Sequence, residues 1–251
     1  RKINNLDEAE IVYRQAIALE PNYTEAHYNL GNTLKELGRL DKAEASYRQV
    51  IALNPDYAEA YNNLAVTLKE LDRLQEAEAS YRQAIIINPD YAQAHSNLGA
   101  ALQELGRLEE AEASYRQAII INPDYVEAYS NLGVALQKLG RLEQAEASFR
   151  KAIELNPDFV KAYSNLGNIL QEISNLEEAE IIYRQAIALE PNYAEVYSNL
   201  ANTLKELGRL DEAEASYKQV IALNPDHAET YNNLGVILKE LGRLEEAEAS
   251  F

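Results

Sequence analysis

The chain has 251 residues with 41 acidic and 23 basic side chains, which gives a formal net charge of −18 at pH 7. This charge opposes binding to nucleic acid, where cationic side chains supply most of the affinity, and it disfavours acidic membrane surfaces as well. Because cysteine is absent, disulfides and thiolate metal sites are excluded. No stretch approaches the roughly 20 apolar residues of a membrane span. We therefore expect a cytoplasmic protein with neither nucleic acid nor membrane as a partner.

Proline divides the chain at regular intervals of 34 residues. A fixed period of this size is typical of stacked supersecondary units, none of which buries a core alone. The period therefore predicts a repeat protein before any other feature is considered. The prolines are Pro21, Pro55, Pro89, Pro123, Pro157, Pro191 and Pro225.

We count each repeat from the third residue after its proline, and we number positions 1 to 34 within it. Residues 1–251 are expected to form a single array that begins and ends inside a repeat, as a piece of a longer protein would. Residues 1–23 and 228–251 are the partial repeats. The six complete repeats are residues 24–57, 58–91, 92–125, 126–159, 160–193 and 194–227.

The first half of each repeat predicts a helix, which we call helix A. In the second complete repeat Ala60, Leu64 and Leu68 recur at helical spacing, so they share one buried face. Asp56 precedes Glu59 by three residues, a pattern that predicts an N-cap with a capping box.

The residue at position 15 predicts the end of helix A. Glycine is favoured just after a helix because it accepts a positive φ angle. It occupies this position as Gly38, Gly106, Gly140, Gly208 and Gly242, and Asp72, Ser174 and Asn4 replace it elsewhere.

The second half of each repeat predicts helix B. Leu74, Ala77 and Tyr81 form its apolar stripe, and the following Asn-Pro or Glu-Pro step ends it, because the residue before proline is pushed out of the α region. An acidic side chain lies four residues before a basic one, an order that favours an ion pair along the helix. These pairs are Glu10–Arg14, Glu44–Arg48, Glu78–Arg82, Glu112–Arg116, Glu146–Arg150, Glu180–Arg184 and Glu214–Lys218.

Two helices of roughly 12–14 residues joined by short turns predict a helical hairpin in each repeat. In the repeat of residues 126–159 the signature residues are Tyr129, Leu132, Gly133, Leu136, Ala145, Phe149, Ala152 and Pro157. This pattern resembles the tetratricopeptide repeat family, and it recurs along the whole chain. The resemblance implies an all-α, right-handed superhelical solenoid of antiparallel helix pairs, with the A helices lining a concave groove and the B helices outside.

A longer period is superimposed on the first. Residues 3–81 agree with residues 173–251 at 62 of 79 positions, a shift of five repeats. This indicates duplication of a five-repeat block. Since the chemistry of the groove would then repeat too, an extended ligand is favoured over a compact one.

Asparagine occupies position 6 of every helix A, although nothing in a mid-helix site requires it. Each amide could bond a neighbouring helix or loop, or the amides could form a ladder that binds the backbone of an extended peptide, since an amide has both a donor and an acceptor. The sequence around them is similar to the repeat region of O-linked N-acetylglucosamine transferases, which implies the ladder. Its predicted members are Asn29, Asn63, Asn97, Asn131, Asn165, Asn199 and Asn233, extended at position 9 by Asn32, Asn168 and Asn202.

Acidic residues flank the ladder at positions 2 and 13 of most A helices. If they line the groove they favour a basic or neutral peptide; alternatively they form a solvated face that keeps the protein soluble. Lys161 interrupts the acidic pattern at position 2 and is added to the predicted peptide-binding residues.

Catalysis has little support in the sequence. His27 and His95 replace tyrosine at a buried aromatic position, and His227 replaces it in a loop between repeats, so each is better explained as an aromatic substitute than as a base or metal ligand. No spacing of serine, histidine and acid stands out. We therefore expect no catalytic residues, no metal and no cofactor within the chain.

Three functions agree with these features. The first is a protein-interaction scaffold whose groove binds an extended peptide. The second is the substrate-recruiting, non-catalytic arm of a glycosyltransferase-type enzyme, whose catalytic domain would lie elsewhere. The third is head-to-tail self-association, because neither end carries the polar capping helix that repeat proteins need.

Overall fold

The computed structural model describes the backbone of residues 2–245 and the side chains of residues 5–245, and every regular element in that span is a helix. Consecutive helices pack as antiparallel pairs from α1 to α7 and from α9 to α14. This confirms the prediction of an all-α fold built from helical hairpins. The B helices are α1 (Lys2–Leu19), α3 (Leu40–Leu53), α5 (Leu74–Ile87), α7 (Leu108–Ile121), α9 (Leu142–Leu155), α11 (Leu176–Leu189) and α13 (Leu210–Leu223). The A helices are α2 (Thr24–Glu36), α4 (Ala58–Glu70), α6 (Ala92–Glu104), α8 (Val126–Lys138), α10 (Val160–Glu172), α12 (Ala194–Glu206) and α14 (Ala228–Glu240).

The chain divides into two compact units, Arg1–Ala128 and Tyr129–Phe251. We call them the N-terminal and the C-terminal unit. Each contains several helical hairpins. The single array of 34-residue repeats stays a prediction.

The turn from helix A to helix B depends on a residue with positive φ at position 15. Gly38 has a φ of 70°, and the neighbouring Arg39 N–H donates to the carbonyl oxygen of Leu34 at 2.8 Å, which closes the end of α2. Asp72 and Ser174 adopt the same conformation, with φ of 59° and 61°. The prediction of a turn at Asn4 was wrong, because α1 runs without a break from Lys2 to Leu19. The other glycines at this position, Gly106, Gly140, Gly208 and Gly242, also have positive φ.

The predicted capping box of Asp56 and Glu59 was wrong. Helix α4 begins at Ala58, so its N-cap is Tyr57, whose side chain makes no capping hydrogen bond. Asp56 lies one residue too early, inside a tight turn where its N–H donates to Oδ1 of Asn54 at 3.2 Å. The asparagine before proline therefore stabilises this connection, as Asn side chains commonly do in turns.

In four hairpins an aromatic ring of helix B meets a glycine of helix A in the core. The ring of Tyr47 is fully buried and lies against Gly31, where a Cβ atom would come within 2.7 Å of it. Phe149 lies against Gly133 in the same way, at 2.6 Å. Because the ring occupies the space of a side chain, the two helix axes can approach closely.

All seven predicted ion pairs along helix B are present. Glu44 shows what the sequence did not reveal: it accepts from Arg48 on its own helix at 2.8 Å and from Arg73 in the next repeat at 2.7 Å. Both arginines also bond Glu76, at 3.5 and 2.7 Å. We call this closed arrangement of two glutamates and two arginines an ion-pair ring. Glu78, Arg82, Arg107 and Glu110 form a second ring, and Glu180, Arg184, Arg209 and Glu212 form a third.

Candidate functional site

Within each unit the A helices lie closer to one another than the B helices do. In the N-terminal unit α4 contacts both α2 and α6, and in the C-terminal unit α10 contacts α12, whereas no pair of B helices in residues 2–245 makes comparable contact. Clefts of about 640 Å³ between α1 and α3, and about 380 Å³ between α5 and α7, open between B helices instead. The solvent-facing side of the A helices, which we call the A face, is therefore the inner side of each unit.

The asparagines at position 6 are half-buried on the A face, and three of them bond the preceding helix A. Nδ2 of Asn63 donates to the Tyr28 hydroxyl at 2.9 Å and to Oδ1 of Asn32 at 3.0 Å. Asn97 donates to Oδ1 of Asn62 at 3.0 Å. These amides thus link consecutive A helices, which is the structural role that the sequence left open.

Two asparagines at position 9, Asn32 and Asn168, receive such bonds from the next helix A, and all three at this position bond a buried tyrosine of helix B. Oδ1 of Asn168 accepts from the Tyr183 hydroxyl at 2.7 Å and from Nδ2 of Asn199 at 2.9 Å. The hydroxyls of Tyr47 and Tyr217 bond Asn32 and Asn202 in the same way, at 2.7 and 2.6 Å. Position 9 therefore connects the buried ring of helix B to the A face.

The remaining position-6 amides are available to a ligand. In the part of the chain that the structure describes, the side chains of Asn29, Asn131 and Asn165 make no hydrogen bond, and Asn233 only accepts from Asn232 at 3.4 Å. Asn165 follows a helix that carries valine at position 9, so no amide is offered to it there. Lys161 is exposed in the first turn of α10, one turn before Asn165.

An aromatic cluster lies beside the asparagines in the N-terminal unit. The ring of Tyr28 meets those of Tyr57 and Tyr47 edge-on, with centroids 5.1 and 6.1 Å apart. Burial raises the pKa of Tyr57, and the nearby Tyr28, Glu59 and Glu25 add to this by disfavouring a further negative charge. The cluster thus combines aromatic rings with two carboxylates.

Sequence reasoning missed this cluster, because Tyr57 belongs to the loop before helix A and not to a helix face. Burial likewise raises the pKa of Tyr91 to about 12, with contributions from Glu59, Tyr28 and Tyr125. The signal that could have found them is an aromatic ring at position 34 of most repeats. These residues are Tyr23, Tyr57, Tyr91, Tyr125, Phe159, Tyr193 and His227.

The three histidines make local structural bonds. Nε2 of His27 donates to the carbonyl oxygen of Pro21 at 2.9 Å, and His95 bonds Pro89 identically. Nδ1 of His227 lies 2.7 Å from the Thr230 hydroxyl. Across residues 2–245 no three His, Asp or Glu side chains are grouped to hold a metal ion, and no helix combines the length and apolar character needed to cross a membrane.

The sequence matches two family models. Residues 1–192 match the model described as the cilia and flagella-associated protein 70 C-terminal domain, and residues 192–251 match one described as tetratricopeptide repeat. No curated protein is a match. Neither model describes a glycosyltransferase, so the likeness to O-linked N-acetylglucosamine transferases stays a prediction.

Solved structures resemble the chain in fold. PilF of Pseudomonas aeruginosa has a TM-score of 0.71 at 22% identity, covering 90% of this chain and 96% of PilF. YrrB, described as a TPR protein with an unusual peptide-binding site, has a TM-score of 0.61 at 23% identity, covering 73% of this chain and 95% of YrrB. MamA has a TM-score of 0.61 at 24% identity, covering 68% of this chain and 94% of MamA.

Proposed function

Because the chain belongs to the tetratricopeptide repeat family, we propose that it is a protein-interaction scaffold that binds an extended peptide segment on the A face. The amides of position 6 hold the peptide backbone, and the chain itself performs no reaction. The observation that carries this proposal is the pair of half-buried amides of Asn131 and Asn165, which have no partner among the described residues.

The spacing of the amides suits an extended chain. Packed helices lie roughly 8–10 Å apart, and an extended peptide advances about 3.3 Å per residue. One amide per repeat therefore meets about every third residue of the peptide. Since an amide offers both a donor and an acceptor, it binds backbone groups whatever side chains the peptide carries.

The charge of the A face defines the class of peptide. Glutamate occupies position 2 of five A helices, and all five side chains are exposed. A basic or neutral segment is attracted to such a surface, while an acidic segment is repelled. The five residues are Glu25, Glu59, Glu127, Glu195 and Glu229.

YrrB, which is described as having a peptide-binding site, supports the general mode of binding but not the residues used here. Head-to-tail self-association stays a prediction, because part of the last repeat lies outside the described residues. The asparagine ladder is therefore the feature that an experiment has to test first.

The test begins with a displayed library of unstructured 12-residue peptides, from which one binding peptide is selected on the intact chain. Its Kd is measured by fluorescence anisotropy for the chain and for a variant with Asn131, Asn165 and Asn199 all changed to Ala. We expect the variant to bind roughly 10- to 100-fold more weakly, because each lost hydrogen bond contributes about 0.5–1.5 kcal/mol.

The matched control is Gln185→Ala, which removes an exposed amide from helix B of the same unit. It should leave the Kd unchanged. Circular dichroism and the thermal midpoint establish that the triple variant is folded. A folded triple variant with an unchanged Kd would contradict the ladder.

A further inference from the structure

We propose that Tyr28 and Tyr57, together with Glu25 and Glu59, form a subsite on the A face for an arginine side chain of the bound peptide. This inference rests on the proposed function and assigns its partner a chemical character. The rings supply the surface on which a guanidinium stacks, and the carboxylates supply its counter-charge.

The two rings are fixed before any ligand arrives. Tyr28 packs edge-on against Tyr57 and against the buried Tyr47, with centroids 5.1 and 6.1 Å apart. Its hydroxyl accepts from Nδ2 of Asn63 at 2.9 Å. A ligand that stacks on this pair therefore does not have to order it, and the pair is continuous with the asparagines of the ladder.

The two carboxylates are exposed and lie next to the rings. Glu25 precedes Tyr28 by three residues on α2, which places both on one side of that helix. Glu59 follows Tyr57 in the first turn of α4. Neither glutamate forms an ion pair with any described residue, so both are free to meet a cation from outside.

Arginine suits this combination better than lysine does. Its guanidinium is planar, stacks on aromatic faces and bonds carboxylates through two parallel N–H groups, whereas an ammonium is a compact and strongly hydrated charge. The net charge of −18 also attracts a basic peptide over a long range. The occupant is therefore an arginine within an extended, basic segment.

The chain contains its own control for this subsite. A shift of 170 residues replaces Tyr28 by Ser198 and Tyr57 by His227, but it retains both glutamates, as Glu195 and Glu229. The second copy thus keeps the charge and lacks the tyrosine pair. Ser and His are also shown to be compatible with the fold at these positions.

The experiment compares two fluorescein-labelled peptides of nine alternating Gly and Ser residues, one with arginine at the centre and the other with citrulline, its neutral isostere. Titration calorimetry and anisotropy measure both Kd values on the intact chain, and NMR follows the ring signals of Tyr28 and Tyr57. We expect arginine to bind about tenfold more tightly, the order of one cation–π contact with an exposed ion pair.

Two variants locate the preference. Tyr28→Ser with Tyr57→His gives the first copy the residues of the second, and Glu25→Gln with Glu59→Gln removes the charge without touching the rings. Each should abolish most of the preference for arginine, while Tyr57→Phe should retain it. Melting curves establish that the variants are folded, and the glutamine pair provides the test should the serine–histidine variant unfold.

Equal binding of the arginine and citrulline peptides, or a preference that survives both double variants, would overturn the subsite. Either result leaves the ladder standing, because binding of the library-selected peptide is measured separately. Loss of the selected peptide only in the variant at Asn131, Asn165 and Asn199 tests the ladder by itself. The two proposals therefore fail in different experiments.

Discussion

Two neighbouring junctions of the C-terminal unit differ in how helix B is connected to the next repeat. Between α11 and α13 the ion-pair ring is closed: Glu180 accepts from Arg184 and from Arg209. Between α9 and α11 it is open, because the turn carries Asn175 instead of arginine. Asn175 bonds Glu178 at 2.7 Å but makes no bond to Glu146.

The side chains of Glu180 and Glu146 differ in exposure as a result. The side chain of Glu180 is 14% exposed, and that of Glu146 is 24% exposed, since one arginine covers it instead of two. Burial raises the pKa of Glu180, but hydrogen bonds from Arg184 and Arg209 outweigh it and hold the pKa below its usual value. One residue in the turn therefore determines whether the carboxylate bonds an arginine of its own repeat alone or also one of the next repeat.

The largest difference should appear when the central carboxylates are removed. We expect Glu180→Gln to lower the free energy of unfolding by about 1–2 kcal/mol, because two arginines lose a charged partner, discounted for their exposure to solvent. Glu146→Gln should cost less than about 1 kcal/mol. Urea unfolding followed by circular dichroism measures both, and equal losses would contradict the comparison.

The turns of the two junctions differ as well, and this effect should be of about 1 kcal/mol. Gly208 at the closed junction and Ser174 at the open one have φ of 74° and 61°. We expect Gly208→Ala to destabilise the chain and Ser174→Gly to stabilise it, because a Cβ strains this conformation. Ala147→Gly on the exposed side of α9 is the control, and it should only destabilise. A destabilised Ser174→Gly variant would show that the serine is not strained.

Acid should weaken the closed junction through Glu180. The folded-state pKa of Glu180 is lowered from 4.5, so its stabilising contribution is present above that value and is lost as the pH falls through the folded pKa. Wild type should therefore lose more stability than Glu180→Gln between pH 6 and pH 3. Thermal midpoints across this range provide the measurement, and parallel curves would argue against the linkage.

The smallest effect should come from closing the open ring. Asn175→Arg restores the side chain that reaches back to Glu146, and we expect a gain below about 1 kcal/mol that shrinks as salt is added. Asn175→Gln, which is longer but uncharged, should give no such gain. A salt-independent increase in stability would assign the effect to packing instead.

Much of the fold was predictable because the residues that end the helices of each repeat act locally. Proline after helix B and glycine at position 15 act through the backbone of one or two residues, and the helix ends follow from them. The capping box of Asp56 failed because a turn stabilised by Asn54 competes for the same residues. At Asn4 the same local reasoning predicted a turn inside a continuous helix.

The candidate site was predictable in position but not in detail. The period of 34 marks every position-6 asparagine of the ladder, yet those amides that bond another helix A have partners 31 or 35 residues away, on the preceding helix A. Which amides bond each other depends on how neighbouring A helices pack. The pair of Tyr28 and Tyr57 was missed for the same reason, since one ring comes from a helix and the other from a loop.

The hydrogen bond from a position-6 asparagine to the asparagine at position 9 of the preceding helix A affects how substitutions alter the partners of such a scaffold. Asn32 and Asn168 each accept from one N–H of the following position-6 amide, that of Asn63 or Asn199, whereas Asn165 follows a helix with Val134 at position 9 and makes no such bond. A substitution at position 9 can thus change which position-6 amides have hydrogen-bonding groups available to the peptide. The positions at which a partner is held can shift along the chain while every asparagine at position 6 stays in place.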